Sequence, residues 1–75
     1  MSPEVLGVRD DLGERARARR IELGMSQESV AYSLKVEQTT ISKIERGAKK
    51  PSPEFARRLA SVLQLPMDAF LLKRE

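Results

Sequence analysis

Gln38, Thr39, Ser42, Lys43 and Arg46 crowd one short stretch of the chain. Their donors and acceptors match the edges of nucleic-acid bases. Glutamine pairs bidentately with adenine, lysine donates to guanine, and a threonine methyl touches a thymine methyl. Other chemistry is poorly supplied. There is no Cys and no His. That excludes disulfides and thiolate metal sites, and it removes the commonest general base and metal ligand. The 11 carboxylates are scattered among 14 basic residues and read as solvated helix faces. No enzyme activity, catalytic residue, metal or cofactor is expected.

Base-reading groups need a helix that holds them on one side. The stretch from Gln27 to Gly47 offers two, flanking a break near Lys35. The first has apolar residues at Val30, Ala31 and Leu34, the second at Ile41 and Ile44. These i, i+3, i+4 spacings give each helix one buried stripe. Ser26 can cap the first by accepting an orphan backbone N–H. Gly47 ends the second, where a left-handed residue stops a helix. Two helices meeting steeply across a tight turn need a small side chain at their contact, and Ala31 supplies it. The second helix then keeps the polar residues outside.

Net charge is +3 and uneven. Residues 15–50 hold nine Lys and Arg against four Glu, or +5, whereas residues 1–14 carry −3 and residues 51–75 carry +1. The positive charge gathers on and beside the two-helix stretch, the electrostatic footprint of a nucleic-acid binder.

Seventy-five residues make one small domain. A chain this short buries roughly 60–65% of its unfolded surface, so modest stability is expected. With two Phe, one Tyr and no Trp, the core must be aliphatic. No run approaches ~18 apolar residues, and no apolar leader is visible. No membrane partner is expected, and the chain should stay in the cytoplasm.

In chain order, residues 1–9 read as an extension. Ser2-Pro3-Glu4 is a helix-start signal weakened by Gly7, and a loose arm is the preferred reading over a helical turn. Asp10 or Asp11 can cap a first helix running to about Leu23 and stopping at Gly24. Leu12, Ala16 and Ile21 or Leu23 face inward, while Arg17 and Arg19 are solvated. The next helices run from Ser26 to about Leu34 and from about Gln38 to Arg46, with Tyr32 on an exposed face. Gly47-Ala48-Lys49-Lys50-Pro51 is a basic loop. Ser52-Pro53-Glu54 starts a fourth helix, with Phe55, Leu59, Ala60, Val62 and Leu63 on its apolar face. Pro66 should open a fifth, to about Leu72. Met67, Phe70 and Leu71 close the core. The apolar surplus at Phe70, Leu71 and Leu72 predicts a homodimer interface. Residues 73–75 are a frayed tail. The main domain is therefore 10–72, with its two-helix unit at about 26–46.

Gln27, Ala31, Val36, Ile41, Ile44, Glu45 and Gly47, with ISKIERG unbroken, resemble the helix-turn-helix of the phage repressor and Cro-like family. The resemblance runs from about Leu12 to Leu71. Two positions depart from the pattern. Lys35 stands where Gly is frequent, although a non-Gly residue at positive φ is strained. Glu37 stands where Ser or Thr usually caps, although its charge favours the helix dipole.

The resemblance implies an all-α, five-helix lambda-repressor-like domain that binds double-stranded DNA as a transcriptional repressor, a two-fold dimer on a palindrome. Gln38, Thr39, Thr40 and Lys43 would face bases. Gln27 would hold a phosphate and steady Gln38. Arg20, Ser26, Arg46, Lys49 and Lys50 would contact the DNA backbone, and Arg20 would also pair with Glu45. A competing class is an antitoxin or adaptor that binds a protein partner through the same fold. The polar face, with no apolar anchor, argues against a pure adaptor.

Overall fold

The computed structural model describes residues 5–73. Four helices form the body: α1 (Leu12–Glu22), α2 (Gln27–Leu34), α3 (Gln38–Glu45) and α4 (Pro53–Val62). A 3-10 turn at Met67–Ala69 follows. Strands β1 (Val5–Val8) and β2 (Leu71–Lys73) pair antiparallel and join the two ends of the described chain.

The helix boundaries have local causes. Ser26 accepts the Ser29 N–H at 3.0 Å and Ser52 accepts the Phe55 N–H at 3.1 Å, so α2 and α4 start on serine caps. Pro53, with no N–H to leave unpaired, fits the first position of α4. The chain leaves α3 through Gly47 at φ +75°, which lets the Ala48 N–H reach the Lys43 carbonyl at 2.8 Å. Asp11 occupies the cap position of α1, but its side chain makes no capping bond. Its carboxylate turns instead to Arg9 Nε at 3.0 Å and Arg15 Nε at 2.8 Å. Those guanidinium bonds hold Asp11 well below the usual carboxylate range.

The core is aliphatic except for Phe70, a fully buried aromatic ring that the expectation of a purely aliphatic core left out. Leu12 and Ala16 of α1, Val30, Ala31 and Leu34 of α2, Ile41 and Ile44 of α3, and Ala56, Leu59 and Ala60 of α4 are all buried. Ile21, offered above as an inward residue, is 56% exposed, and Leu23 packs on the core in its place. Gly13 sits where α1 meets the end of α3. A methyl group built there would collide with the Ile44 carbonyl oxygen, so the two backbones touch with no room for a side chain.

The fifth helix expected from Pro66 to Leu72 does not form. Pro66 is extended, with φ −68° and ψ 157°, and only the short 3-10 turn follows it. Leu71–Lys73 then becomes a strand. Its partner is the segment expected to be a loose arm: Gly7 lies opposite Leu72 and Val8 opposite Leu71, with an irregularity between Val5 and Gly7. The Arg9 N–H continues the pairing to the Phe70 carbonyl at 2.9 Å. The helix-start signal at Ser2-Pro3-Glu4 and the tail residues Arg74 and Glu75 lie outside the described residues.

This ribbon removes most of the expected apolar surplus. Phe70 is fully buried and Leu71 is 2% exposed, both inside the chain's own core. Of the three residues assigned to a dimer contact, Leu72 alone remains exposed, at 44%. Met67, expected to close the core, is also exposed.

Candidate nucleic-acid interface

The interface begins at the turn between α2 and α3. Lys35 adopts the left-handed conformation, φ 59° and ψ 43°, that the turn demands, although it carries a side chain. The Val36 N–H then reaches back to the Ala31 carbonyl at 3.0 Å, and the Lys35 N–H to Tyr32 at 3.1 Å. This pattern satisfies the last carbonyls of α2 and throws the chain sharply into α3. Ala31, 2% exposed, lies under the crossing. Glu37 stands at the cap of α3 in extended geometry and makes no side-chain capping bond.

Burying Ile41 and Ile44 sets the rotation of α3. Gln38, Thr39, Lys43 and Arg46 are exposed on it, and Thr40 is half-buried. Thr40 borders a shallow cleft with Val36, Lys49, Lys50, Pro51 and Phe55. Lys49 and Lys50 are both exposed, and Lys50 makes a 3.3 Å ion pair with Asp10.

Behind this face runs a bonded chain of four side chains. Arg20 donates from Nε to Glu45 Oε2 at 2.7 Å and from Nη2 to Glu45 Oε1 at 3.0 Å. Its Nη1 donates to the Met25 carbonyl at 2.9 Å, just ahead of the α2 cap. The hydrogen bonds with Glu45 raise the Arg20 guanidinium above its ordinary value, so its charge is permanent. Gln27 Nε2 donates to Glu45 Oε1 at 3.0 Å, and Gln38 Nε2 donates to Gln27 Oε1. The charged pair thus anchors α1 to α3, and Gln27 carries that anchor to the first residue of α3.

The sequence-based site residues therefore divide into two groups. Gln27, Gln38, Arg20 and Glu45 form one connected unit. Ser26, Thr39, Thr40, Lys43, Arg46, Lys49 and Lys50 stand outside that unit, with the Ser26 hydroxyl engaged as the cap of α2. Arg20, given a backbone contact as well as the brace, has a side chain only 13% exposed and all three guanidinium nitrogens bonded internally, which leaves a thin edge for phosphate.

Three supporting residues escaped the sequence reading. Gly13 carried a signal, since a glycine inside a helical pattern marks a close approach. Arg58 donates to the Leu34 carbonyl at 2.9 Å and pins the end of α2 beside the turn. Arg19, expected to be solvated, donates to the Leu63 carbonyl at 3.0 Å and ties α1 to the end of α4. Both bonds span more than twenty residues, and nothing local announces them. Among the described residues no cluster of acidic side chains could hold a metal, and no helix is long and apolar enough to cross a membrane.

Two helices joined through a left-handed turn, the second carrying an exposed polar face, define a helix-turn-helix protein. The chain belongs to the helix-turn-helix domain family, whose model matches residues 11–70. The transcriptional regulator ClgR of Mycobacterium tuberculosis is 35% identical over 65 residues, which is 87% of this chain and 58% of that protein. The chain thus spans little more than half the length of this relative. The P22 c2 repressor, solved in complex with a synthetic operator, matches with TM-score 0.71 and 35% identity over 76% of this chain and 86% of that one. SinR, a master regulator of biofilm formation solved in complex with DNA, matches with TM-score 0.70 and 29% identity, covering 76% of this chain and 92% of that one. The phage repressor resemblance read from ISKIERG is thereby established at the level of family.

Proposed function

We propose that the chain is the DNA-binding part of a transcriptional regulator and recognises duplex DNA by sequence. One observation carries this reading. The polar start of α3 is exposed yet not free: Gln38 is held by Gln27, which is held by the buried Arg20–Glu45 pair. A merely solvated glutamine has no use for such support, whereas a base reader gains from holding one geometry. The descriptions of the P22 c2 and SinR structures as DNA complexes support the same reading.

In this proposal α3 enters the major groove. Gln38, Thr39, Thr40 and Lys43 meet base edges, and Ser26, Gln27, Arg46, Lys49 and Lys50 meet the backbone. The finer proposal is repression by a homodimer on a palindromic operator, with two α3 helices about one DNA turn apart, ~34 Å. Leu72 is the surviving part of the expected contact.

Selection from a random duplex pool, followed by mobility shifts at several salt concentrations, tests the proposal. The expected result is an enriched palindrome, bound more tightly than random DNA and weakened by salt. Binding to every duplex alike would refute sequence recognition. Sedimentation on the selected site decides the dimer.

A further inference from the structure

Glu37 stands where a serine would serve the fold better. α2 and α4 each start on a serine whose hydroxyl takes the N–H three residues ahead. Glu37 holds the equivalent place before α3 in the same extended geometry, φ −76° and ψ 150°, but its side chain makes no capping bond. Serine is among the preferred cap residues, and glutamate is not. The Glu37 carboxylate is exposed, and among the described residues no ion pair engages it. Its surroundings are basic. Residues 15–50 carry +5, and of the four Glu there, Glu22 and Glu45 are bonded to arginines. A free acid at the leading end of a DNA-facing helix repels phosphate. A residue that breaks a local preference where a helix meets its ligand points to a functional position.

We infer that Glu37 is a specificity-determining residue that reads cytosine in the major groove. This rests on the proposed docking of α3. In that docking the first residues of α3 meet base edges, and Glu37 stands one place ahead of Gln38. A carboxylate can only accept hydrogen bonds. Cytosine is the one base that shows the groove a donor, N4, with no acceptor beside it. Adenine sets N7 beside its N6 donor, guanine shows two acceptors, and thymine shows O4. Each of those three turns a lone pair toward the carboxylate. Glu37 thus selects cytosine and rejects the other bases by repulsion, while its charge weakens the hold on DNA at large. The α3 dipole also favours an acid at this end, but a dipole does not distinguish bases.

Glu37→Gln tests the assignment, because it keeps the shape of an exposed side chain and removes its charge. Binding of the full chain is measured on the preferred site and on every single-base variant of one half-site. The intact chain should show a position, next to the one read by Gln38, where cytosine is preferred by about tenfold or more. In Glu37→Gln that preference should be lost at this position alone, with a gain for adenine, the base a glutamine pairs best. The three disfavoured variants should bind Glu37→Gln more tightly than they bind the intact chain. Glu37→Ser should lose the same preference while raising the denaturant midpoint. Equal tightening on all four bases would make Glu37 a bare repulsive charge and overturn the inference, as would a cytosine preference that survives either substitution. An intact chain with no sequence preference removes the functional proposal itself, whereas a clear preferred site without such a cytosine overturns the inference alone.

Discussion

Arg20 of α1 and Glu45 of α3 meet edge to edge, with nitrogen–oxygen distances of 2.7 and 3.0 Å and side chains 13% and 3% exposed. Charges this deep are stable only together. Glu45→Gln leaves the guanidinium without its countercharge, and losing one partner of a buried pair costs about 3–5 kcal/mol. Thermal unfolding followed by circular dichroism should show a large drop in Tm, and DNA binding should weaken through the fold. An unchanged Tm would mean that the pair contributes nothing to stability.

Gly13→Ala should destabilise the domain although it adds only a methyl group. The obstacle is the Ile44 carbonyl, which is backbone and cannot swing aside. Forcing α1 and α3 apart is overpacking, which costs about 1–3 kcal/mol or more. In a domain this size each 1 kcal/mol lowers Tm by roughly 4–8 °C. A variant as stable as the parent would show that the helices separate freely.

Glu37→Ser should stabilise. Ser26 and Ser52 each accept the N–H three residues ahead, and Glu37 stands in the equivalent place with extended geometry and no such bond. The Thr40 N–H now donates to the Glu37 carbonyl at 3.0 Å, and a serine hydroxyl at residue 37 can take or share that donor. Filling an empty cap is worth about 0.5–1 kcal/mol, read as a raised denaturant midpoint. No gain would place the cap geometry of α3 out of reach of a short side chain.

Asp11 gives the acid limb of the stability curve a specific cause. Its bonds to Arg9 and Arg15 depress its folded-state value well below the ordinary 3.8. A depressed carboxylate adds stability that is fully present above the unfolded value and fades as pH falls toward the folded one. Asp11→Asn should flatten that part of the loss below about pH 4. Chemical denaturation of both proteins at pH 7 and pH 3 measures it, and equal acid slopes would contradict the assignment.

Lys43 and Lys49 should behave differently although bulk charge treats them alike. Lys43 is exposed on α3, three and four residues beyond Thr40 and Thr39 on nearly the same face, whereas Lys49 lies beyond Gly47, off the helix. Lys49→Ala should weaken all sequences equally and lower the salt slope by about one unit. Lys43→Ala should cost about 1–3 kcal/mol on the best site and relax preference at one position per half-site. Single-base variants of the site, assayed across a salt series, separate the two. Intact base preferences in Lys43→Ala would make Lys43 a phosphate contact.

Much of this molecule was legible locally. Ser26, Ser52, Gly24 and Gly47 mark helix ends because capping depends on a few neighbouring atoms, and each helix boundary fell within about two residues of its signal. The spacing of Val30, Ala31 and Leu34 and of Ile41 and Ile44 fixed which faces turn inward, and hence which polar residues stay outside. The Arg20–Glu45 pair was legible only through family resemblance, since it spans twenty-five residues.

Other features belong to the tertiary structure. Asp11 sits where a cap belongs, yet two arginines take its carboxylate. Lys35 reads as a strained substitute for glycine, yet the packing of α2 on α3 imposes φ 59° on it. The segment after Pro66 has a helical apolar pattern, but no helix forms where a distant strand offers backbone partners. Residues 5–8 supply that strand from the other end of the chain, and pairing them with residues 71–73 takes Phe70 and Leu71 into the core. The sequence by itself determined the helices and the polar face of α3, because those follow from contacts within a turn or two of helix. Only the tertiary structure decided the end-to-end ribbon and the bond order from Glu45 to Gln38, because both depend on groups that meet only after the chain has folded.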